Sequence, residues 1–160
     1  MTRLRAATAA DLPLLRRWMQ DEREAPEWGV DDLAAVLGGS GTIGARARRA
    51  WVAEVEGLGA AGFVTVAALC VAGSAPECEL EFVLVVPAAR GRGVGARLVD
   101  TAAEWVRGLG GDELRLEVRA SNEAAQRLYA SRGFVENGRR RGYYAHPAED
   151  AVLMCLAFKN

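Results

Sequence analysis

Three short stretches in the second half of the chain hold the residues best equipped for chemistry. The first is Pro87-Ala88-Ala89-Arg90-Gly91-Arg92-Gly93-Val94-Gly95-Ala96, between an apolar run and an amphipathic one. Glycines let a backbone turn tightly and aim several N–H groups at one point, and the helix that follows adds the positive end of its dipole. Arg90, Arg92 and Arg97 would add charge suited to phosphates. Such a turn is either an anion cradle or a plain glycine-rich passage from strand to helix with solvated arginines; glycine spacing alone does not choose. A P-loop is excluded because Gly-Lys-Ser/Thr is absent. A dinucleotide site is disfavoured because the turn falls mid-chain, after a hairpin, rather than in an opening strand–helix–strand unit.

The second stretch is Leu116-Glu117-Val118-Arg119-Ala120-Ser121-Asn122. If Leu114, Leu116 and Val118 face a core, Glu117 and Arg119 share the opposite face of the strand. Glu117 is then either a general base or one more solvated strand carboxylate, and Ser121-Asn122-Glu123 reads as a helix cap. The third is Tyr129, which helical spacing puts on one face with Ala125 and Leu128. It is a packing residue or, with a phenol whose ordinary pKa is about 10, an acid toward a leaving thiolate.

The elements that must position these residues follow from periodicity. Thr8 and Asp11 have capping-box spacing, and Leu14, Leu15, Trp18 and Met19 predict an amphipathic helix over about 10–23. Residues 25–29 break it, and a second short helix carries Leu33, Val36 and Leu37 up to the glycines at 38–41. Strands are expected over 51–55 and 63–71 as a hairpin, then over 78–86. Leu98, Ala102, Trp105 and Leu109 mark a helix from Val94, followed by a strand over 114–118, a helix over 122–131, a strand from Phe134 and a last strand over 151–157. This order predicts an α/β or α+β mixed sheet with helices packed on it. The glycines and arginines of residues 38–49 suggest a mobile loop near the substrate side.

Composition narrows the chemistry. A chain of 160 residues is expected to form one domain. Twenty basic and 21 acidic side chains leave a net charge of −1, which speaks against nonspecific coating of nucleic acid or an anionic membrane. Lys159 is the only lysine, so nucleophilic lysine chemistry in a core has no candidate. Cys70, Cys78 and Cys155 are odd in number, far apart and expected as inert residues of apolar strands, and His146 stands alone in a polar loop. Neither a disulfide framework nor a metal site is expected from them. Without an apolar leader or a membrane-length run, a cytoplasmic location is expected. Arg139-Arg140-Arg141-Gly142-Tyr143-Tyr144 is a small basic–aromatic patch, read as a solvated turn or a peptide-contacting loop rather than an RNA site.

Taken in order, the features say more than any one of them. The apolar strand, Arg90-Gly91-Arg92-Gly93-Val94-Gly95, the helix, Leu116-Glu117-Val118, Ser121-Asn122, Leu128-Tyr129 and Gly133-Phe134 resemble the GNAT family of acetyl-CoA-dependent N-acetyltransferases. With Gly133-Phe134-Val135-Glu136, Arg139 to Tyr144 and Glu149-Asp150-Ala151, the run from Leu116 to Ala125 is similar to the RimI branch, the ribosomal-protein-alanine N-acetyltransferases. The resemblance covers about residues 78–156. It implies a twisted, mostly antiparallel central sheet flanked by helices and splayed between the strands at about 78–86 and 113–119.

It also implies a division of labour. The backbone of Val83, Leu84 and Val85 would hold the acetyl and pantetheine groups of acetyl-CoA. The turn from Arg90 through Gly91, Arg92, Gly93, Val94, Gly95 and Ala96 would bind the pyrophosphate, and Asn122 would contact the pantetheine arm. Glu117 would take a proton from the acceptor amine through water, and Tyr129 would protonate the departing thiolate, with no metal and no covalent enzyme intermediate. The implied acceptor is a protein or peptide N-terminus, alanine first, with a small amine, polyamine, aminoglycoside or lysine side chain as the alternative. A noncatalytic acetyl-CoA-binding module is the competing class, and the presence of both Glu117 and Tyr129 speaks against it. Leu84, where the family often carries a smaller residue, is expected to narrow the acyl pocket.

Overall fold

The computed structural model describes residues 1–22, 37 and 46–159. Among these, seven strands form one sheet in the order β1-β2-β3-β4-β5-β7-β6. Their spans are β1 Thr2–Ala6, β2 Arg46–Val55, β3 Gly59–Leu69, β4 Glu77–Val85, β5 Glu113–Arg119, β6 Val135–Ala145 and β7 Ala148–Ala157. All neighbours pair antiparallel except β4 and β5, which run parallel and are in register only at Cys78↔Leu114 and Glu79↔Arg115. Beyond Glu79 the two strands part, so the expected splay is present and the β4 backbone from Glu81 to Val85 lacks a strand partner on its β5 side. Helix α1 spans Leu12–Asp21, α2 Val94–Gly108 and α3 Glu123–Ser131.

Each face of the sheet has its own apolar layer. On one, α2 buries Val94, Leu98, Val99, Ala102, Ala103 and Val106 against Val64, Val66, Leu80, Leu114, Leu116 and Val118. Those α2 spacings of one, three and four residues make a continuous helical stripe. On the other, Leu15 of α1 meets Leu37, Ala50, Val52, Phe63, Phe82 and Leu84. A bulge decides which β4 residue goes where. Thr65 pairs with Phe82 but Val66 pairs with Leu80, leaving Glu81 as the extra residue. One extra residue inverts the inward–outward alternation. Cys78 and Leu80 therefore join the α2 layer, whereas Phe82 and Leu84 join the α1 layer, with Val83 and Val85 now on the α2 side.

Several expectations need correction. Strand β1 was not anticipated: it is a five-residue edge strand, tied at one end by the Arg5 guanidinium, which bonds Asp11 at 2.8 Å and Glu54 at 2.7 Å. Cys70 lies beyond β3 and is exposed rather than inside an apolar strand; Cys78 and Cys155 are buried. The basic–aromatic patch is not a turn, since residues 139–144 belong to the exposed edge strand β6. The expected loop over 38–49 gives way to β2 at Arg46. The break at 25–29, the second short helix apart from buried Leu37, and the rest of that loop lie outside the described residues.

Candidate active site

The glycine-rich turn lies between β4 and α2, where Gly91 and Gly93 take φ of +72° and +74°. That left-handed region is open to glycine at no steric cost, and Gly93 serves as the N-cap of α2. The first intrahelical bond into this end is Arg97 N–H to Gly93 C=O. The amides of Val94, Gly95 and Ala96 thus belong to the helix turn that has no intrahelical acceptor. Gly95 has a different reason to be glycine. A Cβ there would stand 3.0 Å from Leu128 Cδ2 of α3 and 3.6 Å from Val85 Cγ2 of β4.

These residues shape a groove of about 500 Å³ walled by Val83, Leu84 and Val85 on β4, by Arg90, Gly91, Gly93, Val94, Gly95 and Ala96 on the turn, and by Asn122, Leu128 and Tyr129 on α3. Arg92 is exposed and does not line it. Two arginines expected to serve phosphates have other partners: Arg90 Nε donates to the Val85 carbonyl at 3.0 Å, and Arg97 donates to the Thr2 carbonyl. Backbone amides at the α2 end therefore join Arg90, which still lines the groove, as its donors.

Helix α3 is fixed at both ends. Asn122 caps it by accepting from the Ala125 N–H at 3.1 Å, and Gln126 Nε2 donates to the carbonyls of Arg119 and Ala120 at the end of β5. Arg132 reaches Asp100 of α2 through two 2.8 Å bonds. Tyr129 is consequently held beside Phe134, with ring centroids 5.7 Å apart. Burial pushes its phenol well above the ordinary tyrosine range, and Tyr144 adds a smaller effect of the same sign.

Glu117 stands elsewhere. Leu114, Leu116 and Val118 are buried in the α2 layer, so the anticipated alternation holds and Glu117 projects from the opposite face of β5. There it lines a second cavity of about 660 Å³, together with Glu77 and Glu79 of β4, Glu113 and Arg115 of β5, and Arg140 of β6. Glu117 lines this cleft and Tyr129 the groove, on opposite faces of the sheet near the place where β4 and β5 part. Arg140 Nε lies 3.0 Å from Glu117 Oε1, and the Tyr143 hydroxyl donates to the same carboxylate. That bond is the first cause of the raised Tyr143 phenol, followed by the charge of Glu117.

Three carboxylates that line this cleft, Glu77, Glu79 and Glu113, were missed in the sequence, as was Glu81 beside it. Burial raises Glu81 above the usual range although Arg48 and Arg46 pull it down, and its Oε1 bonds them at 3.0 and 3.2 Å. Glu79 is raised first by desolvation, then by the charges of Glu81 and Glu117, against a smaller pull from Arg46 and Arg48. Solvent still reaches its side chain through the cleft mouth. A signal was available for Glu77 and Glu79, which alternate with Cys78 and Leu80, but the bulge breaks that alternation at Glu81.

A clasp closes the far end. Arg119, only 12% exposed at its side chain, bonds Glu149 at 3.1 Å and the carbonyls of His146 and Pro147, and stacks on Tyr144 at 4.2 Å. Burial alone would raise Glu149, but bonds from Ser121 and Arg119 outweigh it and hold the carboxyl low. The β6–β7 hairpin is thereby fastened to the strand that bears Glu117.

The comparisons with known proteins agree with this geometry. The model of the acetyltransferase (GNAT) family matches residues 12–134. The chain is 42% identical over 78 residues to the N-alpha-acetyltransferase RimI of Mycobacterium tuberculosis, a stretch covering 49% of this chain and 48% of that protein. It is 43% identical over 82 residues to the ribosomal protein bS18-alanine N-acetyltransferase of Salmonella typhimurium, covering 50% and 55%. The chain thus spans about half the length of these curated relatives. The crystal structure of the ribosomal-protein-S18-alanine N-acetyltransferase from Escherichia coli superposes with a TM-score of 0.76 at 28% identity, over 100% of this chain and 96% of that one.

Proposed function

The chain belongs to the GNAT acetyltransferase family, and on that premise we propose that it carries an acetyl group from acetyl-CoA directly to the N-terminal α-amine of a protein beginning with alanine. The observation that carries this reading is the pairing of a glycine-built groove with a carboxylate-lined cleft on the two sides of the parting strands. The similarity to alanine N-acetyltransferases supports the choice of acceptor.

The residues present fit acetyl-CoA. A groove whose floor would be filled by a Cβ at Gly95 suits a narrow chain, and the first amides of α2 suit its diphosphate. When bound, acetyl-CoA supplies an acyl group activated as a thioester. The β4 edge at Val83, Leu84 and Val85, left without a β5 partner, would face the acyl and pantetheine portions, and Asn122 stands at the α3 end of the same groove. A β4 amide facing the parting strands would stabilise charge developing on the acyl oxygen.

Glu117 takes the proton of the acceptor, directly or through water. An α-ammonium has a pKa near 8, so a carboxylate suffices at neutral pH. Tyr129 returns a proton to the departing sulfur. Burial keeps its phenol protonated, and the same dry surroundings raise the basicity of a thiolate released beside it, so donor and acceptor move together.

The test is a peptide that begins with alanine and carries one internal lysine, incubated with acetyl-CoA and sequenced by tandem mass spectrometry. Acetylation of the α-amine alone is the expected result. Acetyl on the lysine, or faster turnover of spermidine than of the peptide, would transfer the reading to another amine. No acetylated product with any of them would overturn it.

A further inference from the structure

Two arginines meet the β6–β7 hairpin and are held differently. Arg119 reaches this hairpin from β5 as a buried fixture with several partners. Arg140 comes from the hairpin itself, and its side chain is 57% exposed while that of its partner Glu117 is 22% exposed. It is brought there by an irregularity in pairing. Arg140 pairs with Ala151 and Tyr144 with Glu149, so Arg141, Gly142 and Tyr143 stand opposite Asp150 alone. Gly142, at φ +59°, donates its N–H to Asp150 Oδ1 at 2.9 Å. The bulge sets the Tyr143 ring 5.6 Å from the Arg140 guanidinium and its hydroxyl on Glu117.

We propose that Arg140 is an internal stand-in for the acceptor's ammonium, holding the cation position at Glu117 until a free amine displaces it, and that it thereby sets how tightly acceptors bind. This rests on the amine-acetylating reading above. The guanidinium lies 3.0 Å from Oε1 and neutralises the charge to which a cation recruited by Glu117 would be drawn. The contact is weak enough to exchange: an ion pair this exposed carries a preference of no more than about fivefold. An incoming ammonium also finds more than Glu117. Glu79 lines the same cleft and has no ion pair among the described residues. The acceptor therefore gains a second carboxylate's field that Arg140 does not neutralise.

The experiment compares the full chain with Arg140→Gln and Arg140→Lys, using a peptide that begins with alanine at saturating acetyl-CoA. The expected result is an acceptor KM about two- to fivefold lower in the glutamine variant. The lysine variant should stay near wild type, and neither should change the KM for acetyl-CoA or the Tm. A structural role for Arg140 would instead lower Tm and raise both KM values. An acceptor KM that is unchanged or raised in Arg140→Gln overturns the proposal. A second readout needs no turnover: the NMR signal of the Arg140 Nε–H should shift with alanine amide and not with N-acetylalanine amide. Equal responses to the two, or none, would also overturn it. If the wild-type chain acetylates no amine, the proposed function falls, and the alanine amide titration still decides the role of Arg140.

Discussion

The two cavities at the parting strands are built by opposite means. The groove on the α2 side is a product of backbone: two glycines at positive φ, a helix end, and a strand edge left without a partner. The cleft on the other side is a product of side chains drawn from β4, β5 and β6, with carboxylates balanced against arginines. Backbone recognition depends little on side-chain identity and suits a cosubstrate that does not vary. Side-chain recognition changes with each substitution and suits an acceptor that differs between relatives.

The sharpest way to break this contrast is at Glu117. Glu117→Gln should lower kcat by about 10²- to 10³-fold, as expected for loss of a general base, while the affinity for acetyl-CoA stays within about twofold. Stopped-flow turnover and calorimetric titration of the same preparation would check both halves. Next in size is Gly95→Val, which places new carbon atoms against Leu128 and Val85. Overpacking of this kind costs about 1–3 kcal/mol, and the KM for acetyl-CoA should rise about tenfold or more with the acceptor KM little changed.

A smaller effect is expected at the clasp. Arg119→Gln leaves Glu149 without its guanidinium and loosens the hairpin that carries Arg140 and Tyr143. The acceptor KM should fall about twofold, in the direction expected for Arg140→Gln, and the KM for acetyl-CoA should not change. Steady-state kinetics with each substrate varied in turn would separate them.

The smallest effect concerns stability on the α1 side. The hydrogen bond from Arg5 is the main cause that holds the Asp11 carboxyl below its ordinary value of 3.8. A depressed folded value means that the pair stabilises the fold fully above about pH 4 and loses that contribution as pH falls through the lower folded value. Asp11→Asn should cost about 1–2 kcal/mol at pH 7 and flatten the fall in Tm between pH 5 and pH 3. Thermal unfolding across that range checks it.

The same contrast explains how far the chain could be read in advance. The groove was legible because its parts are contiguous. The turn from Arg90 to Ala96, the cap at Asn122 and the helical face with Leu128 and Tyr129 each lie within one short window, and all but Arg92 line the groove. Glu117 was legible from strand alternation. Its surroundings were not, because Arg140 and Tyr143 come from β6, more than twenty residues on, and meet it only through the β5–β7–β6 order. Strand β6 itself is exposed on both faces, so no apolar alternation marks it and its arginines read as a turn. Glu79 and Glu81 were hidden inside a strand recognised for its apolar residues, and no pattern announces a bulge at Glu81. Strand β1 was too short to stand out, although Leu4 alternates with Arg3 and Arg5.

The account turns on an acetyl group crossing from groove to cleft, and thiol release from acetyl-CoA follows that crossing directly. It should be measured with a short peptide beginning in alanine and with the same peptide blocked at its N-terminus. The account predicts release with the free amine and only background release with the blocked one. Equal release from both, or none from either while acetyl-CoA still binds, would contradict it.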